Sequence, residues 1–244
     1  LSKEKGAKTL AITNVIGSSI TREADYSIYT HAGPEIAVAS TKAYTSQVML
    51  INILAIYFAE ILFGENSKLI KDLKQDILDL PKKIEETLKC NDKIKKFAQQ
   101  IYQEKDVFFL GRGIDETVAK EGSLKLKEIS YIQCEGFAAG ELKHGTIALI
   151  EDGTPVIALL SDPVLASHTR GNIQEVAARG AHVLTIAEEN VAKETDDLVL
   201  TAVHPYLSPI SMVVPTQLIA YFATLHRGLD VDKPRNLAKS VTVE

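Results

Sequence analysis

Four short runs of aliphatic and β-branched residues, KTLAITNV near the start, DVFFLG from Asp106, PVIALL from Pro155 and HVLTIA from His182, are separated by stretches with helical spacing. Strands that are apolar at nearly every position must be buried on both faces, and that arises in a parallel sheet whose crossover helices cover each side. The pattern therefore predicts an α/β fold, a three-layer α/β/α doubly wound parallel sheet. Helices are expected over 40–63, 116–131, 172–178 and 211–227. The charged stretch 66–103 carries Leu69, Ile70, Leu73, Ile77 and Leu80 at helical spacing, then Pro81 and a second amphipathic run, and reads as a helical pair linking two domains.

The chain also resembles itself. KGAKTLAIT recurs as RGAHVLTIA, so that Gly6 corresponds to Gly180; each is followed by an acidic-led strand (ADYSIYT, DDLVLTA) and a long apolar helix. The separation far exceeds a solenoid repeat and implies two copies of a whole domain. A front half, DVFFLGRG through PVIALLS, precedes the second copy only. The expected organisation is a partial first domain over 1–64, a helical region over 65–103, a complete domain over 104–230 and a tail over 231–244. The missing half is expected to leave apolar faces uncovered, with poor solution behaviour for this stretch by itself.

The bulk properties narrow the partners. A net charge of −5 and a pI near 5.8 give no general attraction to phosphate backbones or anionic lipid. No nucleic-acid or membrane partner is expected. Cys90 and Cys134 lie far apart without metal-ligand spacing, which fits a reducing compartment, read as the cytoplasm. LSKEKGAKTL lacks the apolar core of a signal peptide and reads as a helix end closed by Gly6. The stretch from Val48 to Phe63 is short for a bilayer and contains Asn52 and Glu60, so a buried domain helix is expected.

Three stretches carry chemistry. In EGSLKLKEISY, Glu121, Lys125 and Glu128 fall at i, i+4 and i+7 and share one helix face. A solvated stripe is the ordinary explanation; a carboxylate beside an ammonium is poised for proton transfer if that face lines a cleft. In AAGELKHGTIAL, Gly140 and Gly145 bracket Glu141, Lys143 and His144, which suits either a plain surface loop or a proton shuttle. HAGPEIAVASTKAYT places Ser40 as an expected N-cap of the long helix. LLSDPVLAS is expected to be structural, with Pro163 in a first helical turn and Ser161 or Asp162 capping it. The polar tail DKPRNLAKSVTVE carries an isolated Lys239.

KLKEISYI, AAGELKHG, GPEIAVASTKAYT and, most specifically, PRNLAKSVTVE together resemble the sugar-isomerase half of the glucosamine-6-phosphate synthases, the isomerising glutamine–fructose-6-phosphate aminotransferases. The resemblance runs over essentially the whole chain, in order. It implies that the two copies are sugar-isomerase (SIS) domains. It further implies that Lys239 forms a Schiff base with C2 of open-chain fructose 6-phosphate and that Glu128 moves a proton between C1 and C2 on the way to glucosamine 6-phosphate. His144 would assist ring opening from the neighbouring subunit of a homodimer, and Lys125 would tune the base. Glu121 would support the site, and Val38, Ser40 and Ala238 would contact substrate. Ammonia would come from a glutaminase domain upstream. No metal or organic cofactor is implied, because the imine accepts the electron density that C–H cleavage releases. A nucleophilic lysine is expected to be buried or flanked by cations.

The family's glutaminase region and its Ser/Thr-rich phosphate loop do not occur in this sequence, and Gln133 and Gly136 differ from the family pattern. Two other functions fit the same residues: a non-catalytic sugar-phosphate sensor, and a phosphosugar isomerase or deglycase without amide transfer.

Overall fold

A computed structural model describes residues 1–64 and 67–239. The start of the expected linker and residues 240–244 of the expected tail lie outside the described residues. In chain order the elements are β1 (Leu10–Thr13), α1 (Ser19–Glu23), β2 (Tyr26–Tyr29), α2 (Lys42–Phe63), α3 (Lys68–Leu88), α4 (Asn91–Ile101), β3 (Asp106–Gly111), α5 (Ile114–Ser130), β4 (Gln133–Ala138), β5 (Pro155–Leu160), α6 (Ala166–Ala177), β6 (His182–Glu188), β7 (Leu198–Leu200) and α7 (Ser208–His226). β1 and β2 form a two-stranded parallel sheet; the other strands form a five-stranded parallel sheet in the order β4-β3-β5-β6-β7.

The apolar strands are buried on both faces, as their composition requires. From β3, Val107 and Phe109 join a core with α4, α5 and α7, while Phe108 and Leu110 face the opposite layer with α6 and the 3₁₀ segment Ala139–His144. β5 divides in the same way: Ile157 and Leu159 against Val156, Ala158 and Leu160. This is the expected three-layer α/β/α architecture.

β4 is an edge strand that the sequence pattern does not show. Gln133 and Glu135 are exposed, and Gly136 lies so close to α5 that a Cβ there would stand 2.6 Å from the Lys120 nitrogen. Gly136 therefore has a packing reason: β4 and α5 approach backbone to backbone.

Several expected boundaries shift. α5 begins at Ile114 rather than 116, α6 at Ala166 rather than 172, and α7 at Ser208 rather than 211. Pro163 precedes α6 instead of opening it, and Ser161 caps nothing: its hydroxyl and N–H both donate to the buried Asp115 carboxylate. α3 runs straight through Pro81, because Leu80 beside it is buried with Ile70 and Leu73 against Leu207 and Ile210 of the α7 entry. Tertiary burial outweighs the lost helix hydrogen bond there.

Among the described residues two helices, α2 and α7, are long and apolar enough to cross a membrane by length and composition alone. α7 is mostly buried in the core. α2 is not the buried helix that the sequence suggests over Val48–Phe63: only 6% of its most apolar stretch is buried, and Ile53, Tyr57, Phe58, Ile61 and Phe63 are exposed.

Candidate functional site

The site is assembled where the tail crosses the approach to α2 and the C-terminal end of α5. α7 stops at Gly228, whose φ of 68° only glycine adopts without strain, and Leu229 N–H returns to the Thr224 carbonyl. Asp230 then accepts the N–H groups of Asp232 and Lys233, which hold its carboxyl below the usual range. This turn sends the chain back across the domain.

Two contacts seat the tail. The Asp232 carbonyl accepts the Val38 N–H at 2.9 Å. Arg235 donates its N–H to the Tyr131 hydroxyl at 2.7 Å, and Tyr131 is the left-handed C-cap of α5. Lys239, further on, donates from Nζ to Ser40 Oγ at 3.0 Å and stands 3.1 Å from Glu35 Oε2. Its side chain is 36% exposed and that of Glu35 16%.

The segment that receives Lys239 is irregular but braced. Asn14, following β1, donates to the Gly33 carbonyl and accepts from Ala32 N–H and the Thr30 hydroxyl. Lys42 donates to the Pro34 carbonyl. Ala39 is buried in the main core with Tyr44 packed beside it, so residues 38–44 are seated on the α5 and α7 layer. Ser40 is not the helix cap that the sequence suggests. Thr41 holds that position, and no side chain caps the helix; the Ser40 hydroxyl accepts from Lys239 instead.

On α5 the expected stripe is real and partly buried. Lys125, 4% exposed, places Nζ 2.8 Å from Glu128 Oε2 and 3.4 Å from Glu121 Oε1. One ammonium thus bridges two carboxylates. Tyr44 of α2 faces the same group: burial first, and then the Glu121 charge, push its hydroxyl pKa up to about 12, which keeps the phenol a neutral donor.

His144 is not brought to this place. It sits on the exposed 3₁₀ segment in the opposite layer, 64% exposed, 3.9 Å from Glu141 on its own turn. Val38 and Ser40 line the segment under the tail, and Ala238 is exposed beside Lys239. Neither alternative expected for the lysine is met: its side chain is exposed rather than buried, and its charged neighbour is the Glu35 carboxylate rather than a cation. Glu35 was missed because nothing local marks it: it lies in an irregular run, and its partner is about two hundred residues away in sequence.

Among the described residues no cluster of His, Cys, Asp and Glu suits a metal ion. The arrangement pairs a primary amine with a carboxylate and a hydroxyl, and sets a carboxylate–ammonium–carboxylate triad on the neighbouring helix. That is equipment for carbonyl and proton chemistry.

The SIS domain model matches residues 1–57 and 100–227, covering both sheets and most of α2. The chain belongs to the SIS-domain family. It is 66% identical, over its whole length, to a glutamine–fructose-6-phosphate aminotransferase (isomerizing) of Streptococcus pneumoniae, and 60% identical over 98% of its length to one of Streptococcus mutans. It spans 40% of the length of each. Among solved structures it is similar to the C-terminal domain of a glucosamine-fructose-6-phosphate aminotransferase from Francisella tularensis, with a TM-score of 0.89 and 34% identity over 96% of this chain and 68% of that one. It shares its fold with a glucosamine-6-phosphate deaminase of Thermotoga maritima, at a TM-score of 0.73 and 24% identity over 98% of this SIS chain and 68% of the deaminase.

Proposed function

We propose that this SIS chain is the isomerase part of a glutamine–fructose-6-phosphate aminotransferase, converting fructose 6-phosphate to glucosamine 6-phosphate with ammonia from a glutaminase region elsewhere in the full-length protein. The observation that carries this reading is the placing of Lys239: a lysine in a coil-like tail, held against Ser40 and Glu35 by a chain path secured to the helix that bears Glu128.

Lys239 adds to C2 of the open-chain sugar and forms an imine. The imine withdraws electrons from C1 and C2, and the Glu128 carboxylate carries a proton between these carbons. Lys125, bridging Glu121 and Glu128, fixes the base and supplies positive charge beside the enolamine. Tyr44 supplies a neutral hydroxyl on the same side. Val38, Ser40 and Ala238 form the substrate bed. His144 is assigned to ring opening in a neighbouring subunit's site, a role its exposed position suits. The setting is the cytoplasm and the assembly a homodimer.

The test is reduction with borohydride in the presence of fructose 6-phosphate, using the full-length protein and mass spectrometry of the tail peptide. A hexitol phosphate adduct on Lys239 is expected. An adduct confined to other lysines, or none, defeats the reading.

A further inference from the structure

The geometry points to Glu35 as a further catalytic group, the proton carrier for imine formation and release at Lys239; this rests on the reading of Lys239 as the nucleophile. The carboxylate lies 3.1 Å from Nζ and is mostly enclosed, while Ser40 Oγ holds the same ammonium from another direction at 3.0 Å. The two carboxylates across the site, Glu121 and Glu128, are both engaged with Lys125. Chemistry at nitrogen and chemistry at carbon therefore have separate carboxylates.

The protons balance with Glu35 alone. The resting ammonium gives a proton to Glu35, and the neutral amine adds to C2, forming the N–C2 bond. The ammonium nitrogen of the adduct loses a proton to the C2 oxygen. Glu35 returns its proton to the resulting hydroxyl, the C2–O bond breaks, and water leaves an iminium. The overall change is ammonium plus carbonyl to iminium plus water, with one positive charge before and after. The Glu35 carboxylate is regenerated opposite a cation at both ends of the step, so no net charge develops in the partly enclosed site. A cationic neighbour, by contrast, would favour the neutral amine but oppose the iminium. The Ser40 hydroxyl keeps Nζ oriented while Glu35 is protonated. Imine hydrolysis runs the same steps in reverse.

The experiment measures the rate at which borohydride traps the Lys239 adduct in the full-length protein with fructose 6-phosphate, from mildly acidic to mildly alkaline pH. Wild type is compared with Glu35→Gln, Glu35→Asp and Glu35→Ala, the last with and without added formate. Glu35→Gln is expected to slow adduct formation about 10²-fold near neutrality, with the deficit shrinking as hydroxide takes over at higher pH. Glu35→Asp should keep much of the rate, and formate should restore Glu35→Ala. Equal rates in wild type and Glu35→Gln would overturn the role of Glu35 while leaving Lys239 as nucleophile. Slow trapping with no pH dependence of the deficit and no formate rescue would reduce Glu35 to a structural partner and equally overturn it. Absence of an adduct in the wild type would remove the Lys239 reading itself.

Discussion

Arg235 hydrogen-bonds the Tyr131 hydroxyl through its main-chain N–H and also lays its guanidinium over the ring, 4.3 Å from the centroid. Tyr131 closes α5 three residues after Glu128, so a single side chain ties the tail that carries Lys239 to the helix that carries the proposed base. Tyr131→Phe keeps the ring and removes the acceptor, a loss of about 1 kcal/mol; Tyr131→Ala also removes a cation–π contact worth about 0.5–2 kcal/mol. Amide exchange at Val38, whose N–H is bonded to Asp232, should accelerate about 5-fold in the first variant and more in the second. KM for fructose 6-phosphate should rise in the same order. Unchanged Val38 protection in Tyr131→Ala would show that the tail is held elsewhere.

The strands and the α5 stripe were legible because their signals are local. Contiguous apolar residues in β3, β5 and β6 report burial on two faces, and Glu121, Lys125 and Glu128 report one helix face through spacing alone. β4 was hidden: the alternation that an open face imposes lasts only over exposed Gln133, buried Cys134 and exposed Glu135, and the glycine dictated by α5 then interrupts it. Pro81 misled in the opposite sense, since local propensity argues for a break that the buried Leu80 prevents. Ser40 and Glu35 depend on Lys239, a partner far along the chain, so spacing held no trace of the contact. The role proposed for Lys239 comes only from family resemblance; its carboxylate neighbour required coordinates.

Lys125 offers a sharper separation of stability from chemistry. Its ammonium is almost fully enclosed between two partly exposed carboxylates, so Lys125→Met leaves them facing each other without a counter-charge. A loss of about 1–3 kcal/mol in unfolding free energy is expected, below the value for a wholly buried pair because water reaches Glu121 and Glu128. Isomerisation should fall about 10²-fold or more, because the proposed base loses its orienting cation. Adding Glu121→Gln to Lys125→Met removes the charge–charge repulsion and should recover stability without recovering turnover. Recovery of both in the double variant would mean that Lys125 acts only by supporting the helix.

Glu188 sets a pH dependence that is independent of catalysis. It ends β6 with its side chain fully buried; the Val203 N–H reaches one oxygen across 3.5 Å, and the other oxygen has no hydrogen-bond partner among the described residues. Burial chiefly pushes its pKa from 4.5 up to about 7, against the nearby Ser208 hydroxyl and the Val203 N–H, with smaller opposing effects of the Asp115 carboxylate and Lys83. The folded chain therefore keeps a proton that the unfolded chain loses between these values. Because the unfolded state binds fewer protons in that window, unfolding free energy falls as pH rises through it and levels off above about pH 7. Each pKa unit corresponds to about 1.4 kcal/mol, so the decline should amount to a few kcal/mol. Glu188→Gln keeps the shape, cannot ionise, and should flatten the slope, making the variant more stable than wild type at pH 8 but not at pH 4.5. Urea unfolding at the two pH values checks this; an equal slope in both proteins would mean that Glu188 is ionised in the folded state or that other groups dominate the titration.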